Sequence, residues 1–264
     1  MPRFYIEVAR TAFQRQLIYR WANVAGLLTN IFFGAILSYV FMALFQARPV
    51  AGGYHVHDTL RYIWLMQAMI MVVLPFGWFD LMRTIASGEV ASDLSKPCDF
   101  YWYWFSREAG RDVYYVLWRG VPTYLAGMLL FGIGVPGVQA LWLAFAASLV
   151  LGAALGIAYR FLYNLVAFWI VEGRAAGTMA QSVAFFFTGS LVPVAFFPPW
   201  LHAIAAWLPF YGMMNVPAEV FIGKVDGSAL LLDLGRQVLW LVLLTLGARA
   251  LTVVATRRVI VQGG

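Results

Sequence analysis

Charge is what this chain has least of. Lys, Arg, Asp and Glu supply 11% of its 264 residues, against 62% hydrophobic ones. A water-soluble domain carries about a quarter charged residues, so this chain cannot coat a solvated surface of its own. Its mean hydropathy of +0.78 says the same. The lone cysteine, Cys98, excludes an internal disulfide and any cysteine cluster. The strict alternation of a transmembrane barrel strand is missing. What is there instead is a series of apolar runs of about 20 residues, the mark of a helical protein that crosses a membrane repeatedly. The first twenty residues are charged and the first apolar run is long, so no cleaved leader is expected.

Catalytic signatures are also missing. The only Gly-Lys pair, Gly223-Lys224, is followed by Val225 and lacks the upstream glycine of a P-loop, so the chain is not its own ATPase by that route. No HExxH is present, and His55, His57 and His202 all fall in connecting stretches, where none can serve a serine at membrane depth. Ser190, in Thr188-Gly189-Ser190-Leu191, lacks such a partner. Ion-coupled carriers keep ionisable groups at mid-membrane. Here Asp80 and Arg160 lie near the ends of apolar runs and Glu219 lies in a connection, while Asp80 and Arg83 are spaced to pair on one helix face. The runs offer Phe, Trp, Tyr, Met and Gly, which suit an amphiphile better than an ion.

Taken in order, Arg3 to Arg20 reads as an amphipathic helix lying flat at the membrane interface, with Ile6, Ala9, Phe13 and Leu17 on one face. Six spans follow, at 22–45, 60–82, 113–133, 138–171, 178–197 and 234–255, and the expected fold is an all-α integral membrane domain over residues 1–264. The loop after the first span holds His55, His57 and Asp58. No fourth metal ligand is evident, so a solvated loop is expected there. Pro75 and Gly77 are expected to kink the second span. The fourth run is 34 residues long and contains Arg160, which suggests one tilted helix from which Arg160 snorkels to water. Gly152 and Gly156 make a GxxxG that permits close helix approach. Residues 198–224 are too apolar for an aqueous loop, yet Pro198, Pro199, Pro209 and Pro217 forbid a continuous crossing. Short broken helices that re-enter or cap the outer leaflet are expected.

Between the second and third spans lies Arg83 to Asp112, with nine charged residues: Arg83, Glu89, Asp93, Lys96, Asp99, Arg107, Glu108, Arg111 and Asp112. Burying nine such charges would cost on the order of 20 kcal/mol, against about −10 for a good apolar span, so the segment is expected in water. Six spans put both termini on the side of this segment. Fourteen of the eighteen Lys and Arg residues fall on that side, leaving Arg48, Arg61, Lys224 and Arg236 on the other. The positive-inside rule then makes the first side cytoplasmic and accounts for the net charge of +6 without nucleic acid.

This order of elements resembles the ABC-2 type exporter permeases, in particular the six-span permeases related to multidrug and antibiotic exporters. The residues that carry the resemblance are Gly88-Glu89-Val90 to Leu94-Ser95-Lys96-Pro97, Ala167-Phe168-Trp169 before Glu172, Phe196-Phe197-Pro198-Pro199-Trp200-Leu201 with Leu208-Pro209-Phe210, and the terminal Gly263-Gly264. The resemblance implies a permease subunit in the bacterial cytoplasmic membrane, paired with a second copy or a related permease. It implies a coupling helix in 83–112, at Gly88, Glu89 and Ser92 to Pro97 (Ser92, Asp93, Leu94, Ser95, Lys96 and Pro97), seated in a separate ATPase subunit. Asp93 and Lys96 would pair with charges on that subunit. ATP and magnesium would bind the partner, with no cofactor, metal or catalytic residue in this chain. The outer re-entrant segment would hold Pro198, Pro199, Trp200, Leu208, Pro209 and Phe210. The alternatives are a lipid-handling membrane enzyme or assembly factor acting through 198–224, and a non-transporting membrane anchor.

Overall fold

The computed structural model describes residues 2–137, 139–170 and 173–257. Glu172, Arg258 and the stretch Val259 to Gly264 lie outside them. Among the described residues the fold is helical throughout, apart from one isolated bridge between Ala51 and Tyr54.

Among the described residues three helices are long and apolar enough to cross a membrane: Trp21–Ala47, Leu141–Phe168 and Gly227–Thr256, with mean hydropathies of 2.0, 2.2 and 2.1. They belong to α2 (Arg20–Ala47), to α8 (Gln139–Asn164) with a 3-10 extension over Leu165–Phe168, and to α12 (Gly227–Thr256). The other apolar runs are shorter or broken helices, and prolines explain most of the breaks.

The second run does not kink at Pro75; its helix ends. Helix α3 (Val56–Val73) stops, the chain bends at Leu74 and turns at Phe76 and Gly77, and α4 (Asp80–Ala86) starts afresh. Pro75 has no N–H to continue the ladder and disfavours helical backbone at Leu74. Gly77, at φ 67°, then takes a left-handed turn that other residues avoid. The five-residue α5 (Val90–Leu94) follows, and then α6 (Phe100–Tyr115). This helix passes through a π-helical turn, Val116–Gly120, straight into α7 (Val121–Phe131). The π turn sits immediately before Pro122, and a second one, Tyr211–Asn215, sits just before Pro217. The wider i→i+5 turn lets a carbonyl that would face the missing proline N–H accept from another residue. The fifth run is helical only over α9 (Arg174–Phe187). Beyond it the chain turns at Gly189 and makes a 3-10 turn at Val194–Phe196. Residues 198–224 form α10 (Pro199–Trp207), the second π turn and α11 (Val216–Phe221), so the helices there are indeed short and broken.

Helix α3 is the centre of the bundle, with Trp64 fully buried. The Trp64 ring lies flat against Gly34 of α2 and Gly127 of α7, and its Nε1 donates to the Ser38 hydroxyl at 3.0 Å. The GxxxG of α8 works within the chain: Gly152 meets the Met213 carbonyl and Gly156 the Val73 carbonyl. On the other flank Arg119, on the first π turn, donates to the Gly26 carbonyl at 2.8 Å and to Asn30 Oδ1 at 3.1 Å. Asn30 in turn donates to the Gln67 carbonyl of α3 at 3.0 Å.

The N-terminal helix forms as α1 (Pro2–Ile18), but its packed face differs from the expected one. Tyr5, Val8, Ala9, Ala12, Phe13 and Gln16 are half-buried, whereas Ile6 and Leu17 are exposed. Helix α1 lies across α6, touching it where the bare backbone of Gly110 meets the Ala9 carbonyl. The apolar strip of Ile6 and Leu17 lies beside this contact, between it and the basic face.

Candidate functional site

The charged segment 83–112 folds into two unlike halves. In the first, the chain leaves α4 through Gly88, at φ 79°, enters α5, and turns through residues 95–98 to Asp99. Asp99 caps α6 by accepting the Trp102 N–H at 3.0 Å. It also fixes the turn from two other sides. Its own N–H donates to the Tyr5 hydroxyl of α1 at 3.2 Å, and its second carboxylate oxygen accepts from Arg249 of α12 at 2.9 Å.

Gly88, Glu89, Ser92, Ser95 and Pro97 stand exposed on this knuckle. Val90 is buried beneath it in an aromatic core with Trp78, Phe100, Tyr101, Trp104 and Phe161, and Leu94 packs on the same core. Asp93 and Lys96 are already paired with each other. Lys96 Nζ donates to Asp93 Oδ1 at 2.6 Å and to the Tyr103 hydroxyl at 2.9 Å. Partial burial works against the Lys96 charge, but these bonds outweigh it and hold the ammonium above the ordinary lysine range. The exposed polar face of the knuckle is therefore Glu89, Ser92 and Ser95, while Asp93 and Lys96 pair within it.

The second half of the segment departs from the aqueous platform expected. Glu108, Arg111 and Asp112 are buried in α6, and Arg160, expected to snorkel, has no exposed surface at all. Arg160 donates to Asp112 Oδ2 at 2.9 Å and to the carbonyls of Val72 at 3.1 Å and Val73 at 2.5 Å. Glu108 lies 3.7 Å away. Arg111 pairs with Glu108 at 2.8 Å and with Asp112 at 3.1 Å, and Trp78 lies within cation–π reach of both arginines. Two guanidiniums against two carboxylates leave no formal charge. Insertion costs summed over isolated charges therefore do not apply to this half: they describe unpaired groups, and these four neutralise one another.

The same cluster closes the break after α3. A helix end buried without partners is costly, and here side chains of α8 and α9 supply them. Arg160 takes the last two carbonyls of α3. Gln181 donates to the Pro75 carbonyl at 3.0 Å and accepts from the Gly77 N–H at 3.3 Å. Tyr163 donates to the Trp78 carbonyl at 3.2 Å, and Asn164 accepts the Met82 N–H at 3.0 Å. Arg160, Tyr163 and Asn164 share one face of α8 at helical spacing. Their spacing, three polar groups inside an apolar run, was the signal in the sequence; what they faced was not visible there. Asp80 and Arg83 pair as expected, and Arg107 adds a second contact to Asp80 at 3.6 Å.

At the other end of the bundle, Pro198, Pro199 and Trp200 are exposed, and Trp200, Ile204 and Trp207 form an exposed face of α10. Leu208 is half-buried, while Pro209 and Phe210 turn inward, where the Phe210 ring packs against Tyr159 and Phe187. Glu219 of α11 is buried and accepts from the Tyr54 and Tyr211 hydroxyls at 2.9 and 2.8 Å, which ties the loop before α3 to α11. Asp58 accepts the His55 N–H at 3.1 Å and pairs with Lys224 at 2.7 Å. Among the described residues no group of three His, Cys, Asp or Glu side chains stands close enough to hold a metal ion.

A family described as "ABC-2 family transporter protein" matches the chain over residues 30–263. The chain belongs to that family. No curated protein and no solved structure matches it. The matched region of this ABC-2 family chain takes in the exposed knuckle, the break after α3, the charge cluster that closes it and the broken helices of 198–224. The chain is thus a multi-pass helical membrane protein of a transporter family.

Proposed function

We propose that this chain is the permease subunit of an ATP-binding cassette transporter, and that a separate ATPase subunit docks on the segment 83–112 to drive it. The observation that carries this reading is the exposed polar knuckle Glu89, Ser92 and Ser95, seated through Val90 on an aromatic core that leads directly to the charge-closed break in the bundle. A push on the knuckle passes from Val90 to Trp78 and Trp104. Trp78 immediately follows the break, and Arg160 ties the break to α6 and α8. Such a push would tilt α3 against α8 and open the bundle on its far side.

In this reading the chain crosses the membrane six times. Both termini and the knuckle are cytoplasmic, the membrane is the bacterial cytoplasmic membrane, and 198–224 caps the outer face. A second copy or a related permease completes the pathway. ATP and magnesium bind the ATPase, and this chain contributes no catalytic residue. Export follows from the resemblance to exporter permeases, and the Phe, Trp, Tyr, Met and Gly of the runs suit a hydrophobic or amphiphilic compound better than an ion.

The test is affinity purification of the full chain from membranes of its own source. The expected result is recovery of an ATP-binding cassette ATPase together with ATP hydrolysis, while the chain stripped of it hydrolyses none. Hydrolysis by the stripped chain, or recovery of no ATPase, would overturn the proposal.

A further inference from the structure

A cavity of about 250 Å³ lies between α3, α7 and α8, away from the knuckle; at its deep end it reaches Val72, whose carbonyl accepts from Arg160 of the charge cluster. Leu65, Met69 and Val72 of α3 form its inner wall, and the π turn Val116–Gly120 contributes Val116 and Gly120 to the side. Val121, Leu125 and Trp142 are exposed at its rim, so it opens sideways, toward the surrounding hydrocarbon and not toward water.

The lining is apolar throughout, but one end carries a charge. Arg61 stands one turn before Leu65 on the same face of α3. Its guanidinium reaches the backbone at Gly134, beside Val135, which lines the cavity. Among the described residues Arg61 has no ion pair and no side-chain hydrogen bond, and its Nε is buried without a partner. Arg119 and Arg160 share the unpartnered Nε, but their terminal nitrogens engage acceptors within the chain, whereas those of Arg61 engage none among the described residues. From Arg61 to Val72 is eleven residues of helix, about 16 Å at 1.5 Å per residue. That is close to half of the ~30 Å hydrocarbon core of a bilayer, one leaflet's depth.

We infer that this cavity holds one acyl chain of an anionic phospholipid from the leaflet at the N-terminal end of α3, with the headgroup phosphate on Arg61. The shape takes a chain entering from the side. The depth matches a chain whose headgroup sits at the leaflet surface, and the unpaired guanidinium favours a phosphate whose charge no choline offsets. A guanidinium offers the forked donor geometry that suits phosphate. This site depends only on the chain lying in a bilayer and not on the ATPase reading.

The experiment uses the full chain in phosphatidylcholine nanodiscs, doped with phosphatidylglycerol or with phosphatidylcholine that carries a photoreactive diazirine near the end of one acyl chain. Labelled peptides are read by mass spectrometry. Phosphatidylglycerol is expected to label the α3 and α7 peptides that line the cavity about tenfold more than phosphatidylcholine does, the ratio given by one charged contact of about 1.4 kcal/mol. Arg61→Gln should reduce phosphatidylglycerol to the phosphatidylcholine level, and Arg61→Lys should retain most of the difference. Leu149→Trp, which fills the cavity, should remove both signals. Equal labelling by the two lipids, labelling confined to other helices, or chain-to-chain adducts in place of lipid at these peptides would overturn the inference. The contrast between lipids is read on the unaltered chain, so it decides the matter even if a variant fails to fold.

Discussion

Arg160 serves carbonyls at the end of α3 and a carboxylate on α6 at the same time. A planar fork of donors can do this; a lysine ammonium at the same site cannot span both directions. Removing one partner from a buried, paired set leaves an uncompensated charge, at a cost of about 3–5 kcal/mol. Arg160→Met should therefore lower stability by about that amount. Arg160→Lys should recover only part of it, measured by denaturant unfolding in detergent. Arg160→Met combined with Asp112→Asn should cost less than the two single changes added together, because their effects are coupled.

A second residue-scale prediction concerns Asp58. Burial works to raise its pKa, but Lys224 and the His55 N–H outweigh burial and hold it below the ordinary aspartate range. A lowered carboxylate contributes stability that is present above its ordinary pKa and is lost as pH falls through the lowered one. In Lys224→Met that contribution, about 1 kcal/mol for a partly exposed pair, should be missing at pH 7. The fall of the unfolding midpoint with acid should then be shallower than in the unaltered chain, and the two chains should converge as pH drops through the lowered pKa. The pairing of Asp80 with Arg83 was legible from spacing of three on one helix. The burial of Glu108, Arg111 and Asp112 was not. Consecutive charges look like a solvated run until the arginine that neutralises them, 48 residues beyond Asp112, is folded against them.

At the scale of elements, uninterrupted apolar length was the reliable signal. It identified α2, α8 and α12, because nothing but hydrocarbon accommodates such runs. Proline was legible as a disturbance but not as to its form. Pro122 and Pro217 sit just beyond π turns in continuing helix, whereas Pro75 ends a helix. The difference lies in what faces each proline. Beside Pro75 stand Arg160, Tyr163, Asn164 and Gln181, which can satisfy a fully opened backbone. Spacing likewise found the apolar residues of α1 but could not say which arc would meet α6, because Ala9 and Phe13 belong to both arcs. Gly110 decides that contact. Gly110→Leu should push α1 off α6 and speed tryptic cleavage at Arg10 and Arg15 while the rest of the chain stays resistant. Unchanged cleavage would show that α1 is held by other contacts.

At the scale of the whole molecule, exposed aromatic helices lie at two levels of one bundle: α1 beside the knuckle, and α10 with Trp200 and Trp207 near the broken helices of 198–224. Tryptophans gather at membrane interfaces, so the exposed face of α10 suits that setting. The position of the knuckle was legible as charge between apolar runs. Its division into a presenting face and a self-paired support was not, since Asp93 and Lys96 found each other and Tyr103 only in three dimensions. Docking of an ATPase on the exposed face of Glu89, Ser92 and Ser95 is read by comparing ATPase recovery with the unaltered chain and with the combined variant Glu89→Arg, Ser92→Arg and Ser95→Arg. All three positions are exposed, and surface changes usually cost no more than ~0.5 kcal/mol each, so the variant should remain folded. Loss of the ATPase from the purified, folded variant is expected. Recovery equal to that of the unaltered chain would contradict docking on this face.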